Sequence, residues 1–365
     1  MIQDPGLASW LQLALTPGLG PATLRSMLRQ FGLPQQVLAR KRTELAALAG
    51  AEALAALDSD EVAQAVSRTL AWAGEPGHCL ITLADDAYPR MLLEIPDPPA
   101  LLYASARVEL LARPALAVVG SRNATPQGES NAQALAKALS EAGLTIVSGL
   151  ALGIDTAAHR GGLAGPGSTI AVLGTGIDVV YPQRNAQLAA EIAERGLLLS
   201  EFPLGTAPAG QNFPRRNRLI SGLARGCLVI EAALASGSLI TARAAADQGR
   251  EVFAMPGSIH SPLAKGCHAL IKSGAKLVES ADDVLAELSG FRASGYASTT
   301  KETPASRDSG LLALMGHDPV DVDSLCSRAG MSAEQVSSEL LRLELDGRVA
   351  ALPGGLYQRL EKERR

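Results

Sequence analysis

The chain is expected to fold as an α/β protein built on a doubly wound parallel sheet, and three observations predict this. Seven short apolar runs alternate with helical stretches of roughly 10 to 17 residues, the rhythm of a parallel sheet with crossover helices. The runs are 115–119, 144–148, 169–173, 197–201, 228–231, 252–255 and 276–278. Hydrophobic residues make up 47% of the chain and aromatics only 3%. The core must therefore be Ala, Val, Leu and Ile, which suits helices packed on buried parallel strands. Most of the runs also end in glycine or serine. The endings are Gly120-Ser121-Arg122, Ser148-Gly149-Leu150-Ala151-Leu152-Gly153, Gly174-Thr175-Gly176, Ser236-Gly237-Ser238 and Pro256-Gly257. In open α/β sheets, ligands bind beyond the carboxyl ends of the strands.

At 365 residues the chain has room for two or three domains. Residues 1–78 have Ala and Leu recurring at helical spacing. Within them, Thr16-Pro17-Gly18-Leu19-Gly20-Pro21-Ala22-Thr23 resembles a helix-hairpin-helix turn, with Arg25 and Arg29 one helical turn apart. Residues 79–104 carry Pro89, Pro96, Pro98 and Pro99 and read as an extended bridge. The sheet-forming domain spans 105–288. Residues 289–308 are rich in Ser, Thr, Gly and Ala without apolar periodicity, the pattern of a linker. Residues 309–365 read as a winged helix. There Ser332 and Gln335 make a capping box, and Val336, Leu340 and Leu343 form the inward stripe. Gly347 is the stop, and 348–358 form a hairpin.

Several function classes are disfavoured. The amino terminus has no basic start and carries Asp4, unlike a signal peptide. No run approaches the ~18 apolar residues of a membrane span, so a cytoplasmic location and no membrane partner are expected. Cys79, Cys227, Cys267 and Cys326 form no C-x-x-C and read as reduced thiols. No His/Cys spacing fits a metal site. A net charge of −4 predicts no global attraction to nucleic acid, so any such binding requires a local patch.

That patch is Phe213-Pro214-Arg215-Arg216-Asn217-Arg218. Between Phe213 and Arg225 there are four arginines and no acid. Guanidinium groups bind phosphate bidentately and stay charged, and cations beside an aromatic suit a single strand. Glycine turns let backbone N–H groups approach an anion closely, and helix amino termini add a favourable field. The candidate anion-binding set is therefore Gly120, Ser121, Arg122, Ser148, Gly149, Gly153, Phe213, Arg215, Arg216, Asn217, Arg218, Ser236, Gly237, Ser238, Thr241 and Lys265.

Cofactor motifs fail. A dinucleotide site needs G-x-G-x-x-G after the first strand, where this chain has G-S-R-N-A-T. A triphosphate loop ends in G-K-[ST], but Gly153 is followed by Ile154-Asp155. No cofactor is expected. Asp155 and His159 lie four apart on one helix, where an acid–base pair is conceivable. Asp in a first helical turn more often complements the helix dipole. Glu231 is a lone acid at a strand end, and nothing assembles into a nucleophile, base and oxyanion set.

At these residues the chain resembles the DNA-processing protein A (DprA/Smf) family. The matching segments are V-V-G-S-R-N-A-T at 118–125, V-S-G-L-A-L-G-I-D-T-A-A-H at 147–159 and V-L-G-T-G-I-D-V-V-Y-P at 172–182. Three more are N-F-P-R-R-N-R-L-I-S-G-L at 212–223, S-G-S-L-I-T-A at 236–242 and V-F-A-M-P-G at 252–257. The resemblance covers about residues 80–285. It implies a Rossmann-like domain that binds single-stranded DNA, a homodimer, and help in loading RecA recombinase onto incoming strands during natural transformation. No reaction is implied. It places the DNA at Gly120 to Arg122, Ser148 to Gly153 and Phe213 to Arg218, and it makes the amino-terminal domain one of the sterile-alpha-motif type. The alternative is a hydrolase acting on a nucleotide or phosphosugar through the same sheet edge. Phosphoribohydrolases of that remote kind carry P-G-G-x-G-T-x-x-E, where this chain has S-G-S-L-I-T-A-R-A at 236–244 without the acid.

The winged helix carries the wrong charge for reading a groove. Residues 332–346 hold Glu334, Glu339, Glu344 and Asp346 against Arg342, a net charge of −3. Such a face repels phosphate, so a protein-contacting or regulatory role is expected.

Overall fold

The computed structural model describes residues 5–288 and 310–360. All seven expected runs are strands, with ends within two residues of the expected limits. Two further strands precede them. The strands are β1 (His78–Thr82), β2 (Leu101–Ala106), β3 (Ala115–Gly120), β4 (Thr145–Ser148), β5 (Thr169–Val172), β6 (Leu197–Ser200), β7 (Gly226–Ile230), β8 (Glu251–Ala254) and β9 (Lys276–Leu277). They form one sheet in the order β1-β2-β6-β5-β4-β3-β7-β8-β9. From β6 to β9 every pairing is parallel.

Both faces of β3, β4, β5, β6 and β7 are buried, which is why these strands read as mostly apolar runs. On one face Ala117, Val119, Val147, Ile170, Val172 and Val229 pack beneath Leu219, Ile220 and Leu239. On the other, Leu116, Val118, Ile146, Leu228 and Ile230 meet Leu135, Leu139, Ile154 and Ala158. Alternate residues of each strand serve opposite cores, as the two-residue pleat requires.

The strand order contains a switch. The chain steps from β3 outward through β4 and β5 to β6, then returns to place β7 on the other side of β3. The β3 and β7 exit loops therefore diverge to opposite faces and leave a crevice at their carboxyl ends.

The segment expected as an extended bridge is a correction to the sequence reading. Its two ends are β1 and β2, paired antiparallel with each other, and β2 pairs antiparallel with β6. The prolines are confined to the connection between these strands, where no ladder bond is lost. Leu101, Leu102, Tyr103 and Ala104 are all buried. Leu80, Leu101 and Tyr103 share a cluster with Leu11, Val66, Leu70 and Trp72, from the helices Pro5–Leu15 and Asp60–Ala73. The remaining amino-terminal helices close a second cluster around Trp10, Leu24, Met27 and Leu45. The segment from Thr16 to Gly20 is the turn between the helices Pro5–Leu15 and Pro21–Phe31, with Gly18 at φ +79°. Arg25 donates to the carbonyl oxygen of Pro98 at 3.2 Å, so the proline-rich connection is seated on this helix.

The winged helix has its own core of Leu311, Leu325, Val336, Leu340, Leu343 and Val349. Its strands β10 (Val320–Asp321), β11 (Val349–Leu352) and β12 (Leu356–Arg359) form a separate antiparallel sheet. Ser332 caps the helix Ala333–Leu345 with Gln335 as the reciprocal partner. The expected linker, 289–308, lies outside the described residues.

Candidate nucleic-acid interface

A cleft of about 520 Å³ occupies the crevice between β3 and β7. One wall is the turn Gly120-Ser121-Arg122-Asn123, and the opposite wall is Ser236-Gly237-Ser238, which opens the helix Ser238–Asp247. Gly120 pairs across the ladder with Ile230. A Cβ on Gly120 would collide with the Ile230 carbonyl oxygen and the Ile154 side chain. Only glycine lets the two exits lie so close. Asn123 N–H donates to Ser121 Oγ at 3.1 Å, and the hydroxyls of Ser236 and Ser238 are 2.7 Å apart. The walls thus present serine hydroxyls at a helix amino terminus, whose dipole favours an anion.

Arg216 enters from the helix Asn212–Gly222 and lines the cleft, yet it is only 4% exposed. Its Nη1 donates to the carbonyl oxygen of Gly149 at 2.7 Å and to that of Val172. Burial pulls its pKa down to about 10, which leaves it cationic at neutral pH. It ties the exits of β4 and β5 to the cluster helix.

The turn after β4 is held by the two residues that suggested acid–base chemistry. Asp155 Oδ2 accepts from the amides of Gly149 at 3.0 Å and Ala151 at 3.3 Å. Burial pushes its carboxyl upward, against the pull of Arg216 and those amides. His159 Nε2 accepts from Leu150 N–H at 3.2 Å. Thr169 Oγ1 donates to the Ile146 carbonyl at 2.7 Å, so His159 Nδ1–H donates to Thr169 Oγ1 at 2.7 Å. The ring is therefore the neutral Nδ1–H tautomer, and burial holds its pKa down to about 3. Glu231 is likewise committed: it accepts from Thr125 N–H at 2.8 Å and Thr125 Oγ1 at 2.6 Å, anchoring the start of the helix Pro126–Glu141. All three groups hold turns through these bonds.

Arg215 and Arg218 point away from the cleft. Arg218 Nη2 lies 2.5 Å from Glu201 Oε2 and its Nε 2.9 Å from Asp97 Oδ2, with the side chain 12% exposed. Arg215 Nη2 reaches the same Glu201 oxygen at 3.1 Å, and its guanidinium lies over the Phe202 ring at 5.2 Å. Burial raises Glu201, opposed chiefly by Arg218 and then Arg215. This network seats the helix Asn212–Gly222 on the end of β6.

Arg122 is different. It is exposed, it enters no ion pair among the described residues, and its guanidinium sits 5.6 Å from the Phe213 ring centroid. Phe213 is half-buried. It packs so tightly on Gly174 that a Cβ there would approach the ring to 2.7 Å. Tyr181 lies beside it, with ring centroids 5.5 Å apart and planes at 35°.

The cleft gathers ten of the sixteen expected residues: Gly120, Ser121, Arg122, Phe213, Arg216, Asn217, Ser236, Gly237, Ser238 and Thr241. Six lie elsewhere. Ser148 is fully buried and donates to the Val118 carbonyl at 2.7 Å, tying β4 to β3. Gly149 is held beneath the cleft by Arg216 and Asp155. Gly153, at φ +73°, lies against the Ser121 and Arg122 carbonyls and supports the first turn from behind. Arg215 and Arg218 serve Glu201. Lys265 donates to the Ile259 carbonyl. Asn123, Asp155 and Leu263 line the cleft and Tyr181 flanks it, although none was in the expected set. Among the described residues no cluster of His, Cys, Asp or Glu is placed to hold a metal ion. No helix there is long and apolar enough to cross a membrane.

Comparison with known proteins agrees with this architecture. The profile described as DNA recombination-mediator protein A matches residues 79–289, and the DprA winged helix domain matches 297–355. Protein Smf of Escherichia coli (strain K12) is 44% identical over 307 residues, covering 82% of this chain and 82% of the relative. DNA processing protein DprA of Streptococcus pneumoniae is 52% identical over 206 residues, covering 56% of this chain and 73% of the relative. The X-ray structure of the S. pneumoniae protein superposes with a TM-score of 0.68 at 40% identity, over 76% of this chain and 96% of that one. DNA processing protein A from Helicobacter pylori, whose structure concerns a single-stranded DNA binding mode, gives a TM-score of 0.52 at 31% identity. That match covers 57% of this chain and 94% of that one. With the doubly wound sheet, its glycine-walled cleft and the winged helix in the family's order, this chain belongs to the DNA recombination-mediator protein A (DprA/Smf) family.

Proposed function

We propose that this chain binds single-stranded DNA in the β3/β7 cleft without transforming it, and hands the strand to RecA recombinase in the cytoplasm, acting as a homodimer in natural transformation. One observation carries the binding reading. An exposed arginine, Arg122, leans on an aromatic ring beside a wall of glycine and serine turns. That combination offers charge and hydroxyls to phosphate, with aromatic rings at the flank of the cleft for bases. The H. pylori relative, described by its single-stranded DNA binding mode, supports it. The recombinase and dimer parts rest on the family resemblance. Asp155, His159 and Glu231 are committed to backbone and hydroxyl groups, which favours binding over hydrolysis.

Titration of the protein with labelled oligothymidylate and with a duplex of equal length tests the proposal. The expected result is tight, salt-sensitive binding of the single strand, weaker binding of the duplex, and no nucleotide or sugar released on prolonged incubation. Equal affinity for both, or release of a base or sugar, contradicts it.

A further inference from the structure

We infer that Tyr181 forms a base-stacking ledge outside the phosphate cleft, and that Phe213 joins the two. The inference rests on the single-strand reading above and deepens it. The notable property of Phe213 is how little of it is free. Arg122 lies over the ring, Gly174 lies against it, and Tyr181 closes a further side. A half-buried ring so surrounded offers a base little area. Tyr181 is 44% exposed, a large aromatic left open to solvent at the flank of a polar cleft.

The geometry is a short ladder. Arg122 to Phe213 is 5.6 Å and Phe213 to Tyr181 is 5.5 Å. Two different loops supply the ends: Arg122 follows β3, and Tyr181 lies in the long connection after β5. Phosphate bound at Arg122 therefore has an exposed ring in its neighbourhood, since Arg122 and Tyr181 both lie within 5.6 Å of the Phe213 centroid. Aromatic stacking is sequence-tolerant, because every base has a π face. A paired base inside a duplex presents no such face, so the ledge also selects single strands. Phe213 contacts both ends, the Arg122 cation 5.6 Å from its centroid and the Tyr181 ring tilted at 35° to its plane.

Full-length protein is titrated with oligothymidylate and with an abasic oligonucleotide of equal length, using wild type, Tyr181→Ala and Tyr181→Phe. Tyr181→Ala is expected to weaken oligothymidylate binding by about five- to a hundredfold, the range for loss of one stacked base. It should leave the salt slope unchanged, since no phosphate contact is lost. Tyr181→Phe keeps the ring and should bind within about twofold of wild type. Abasic strands should bind wild type and Tyr181→Ala alike.

Thermal melts separate stacking from folding. An Ala variant that melts with wild type yet binds oligothymidylate normally overturns the inference, as does equal loss on oligothymidylate and abasic strands. If the Ala variant melts early, the comparison is made with Tyr181→Leu, which keeps apolar bulk without a π face; wild-type affinity there overturns the inference too. Failure of wild type to bind either strand sinks the single-strand reading instead.

Discussion

The Nη1 of Arg216 donates to the carbonyl oxygen of Gly149 at 2.7 Å, across 67 residues of chain. The most buried cation of the arginine cluster is therefore a strut as well as a cleft wall. Replacing it with methionine keeps the stem but leaves the Gly149 and Val172 carbonyls without a donor. It also leaves Asp155 without its nearest opposing charge. Each orphaned buried group costs about 1–3 kcal/mol, so Arg216→Met should lose roughly 2–5 kcal/mol in urea denaturation. A change below ~1 kcal/mol would return Arg216 to a purely ligand-binding role.

Arg218 should behave unlike Arg122. Its charge is already matched by Glu201 and Asp97. Arg218→Ala is expected to lower stability by about 3 kcal/mol, because Glu201 keeps only the half-exposed Arg215. Its log affinity against log salt should keep the wild-type slope. A flatter slope with unchanged stability would place Arg218 on DNA phosphate.

His159 gives a pH signature. Its pKa is about 3 in the folded protein, against an ordinary value near 6.5. Between these values the unfolded chain binds the extra proton, so stability rises with pH through this window. The contribution is complete above about pH 6.5 and declines as pH falls, by up to about 1.4 kcal/mol per pH unit. The stability difference between wild type and His159→Gln, measured by denaturation at several pH values, should shrink accordingly on acidification. A difference independent of pH would contradict the neutral, buried imidazole.

The winged helix should not carry the single-strand affinity. Its helix Ala333–Leu345 is acidic, and Arg342 is bound by Glu339 at 2.6 Å. A chain ending at Leu288 should retain most binding, and residues 309–365 alone, with their own core, should not bind DNA at moderate salt. Tight, salt-sensitive binding by the fragment would reverse this assignment.

Much of the fold was legible because burial on both faces writes a plain signal. The runs around Val118, Ile146, Ile170 and Val229 are apolar apart from Thr145, Ser148 and Thr169 at their ends, and each is a strand. β1 and β2 were hidden because Pro89 to Pro99, which belong only to their connection, coloured the whole segment. The cleft walls were legible because a glycine turn at a strand end has few other uses. What remained hidden was direction. A two-residue spacing cannot tell that Arg216 and Arg218 turn to different partners, because Glu201 and Asp97 are set beside Arg218 only by β6 and the proline-rich connection. Tyr181 stood within a recognised segment, but its neighbour Phe213 is 32 residues away, and only the fold brings them together.

The most direct test is the salt dependence of oligothymidylate binding by wild type and Arg122→Ala. A cation on phosphate releases counterions, about 0.7 in log–log slope for each contact with a single strand. Arg122→Ala should therefore bind every sequence more weakly, with a slope shallower by about 0.7 and an unchanged melting temperature. Wild-type affinity and slope in this variant would contradict the placement of the DNA backbone in the β3/β7 cleft.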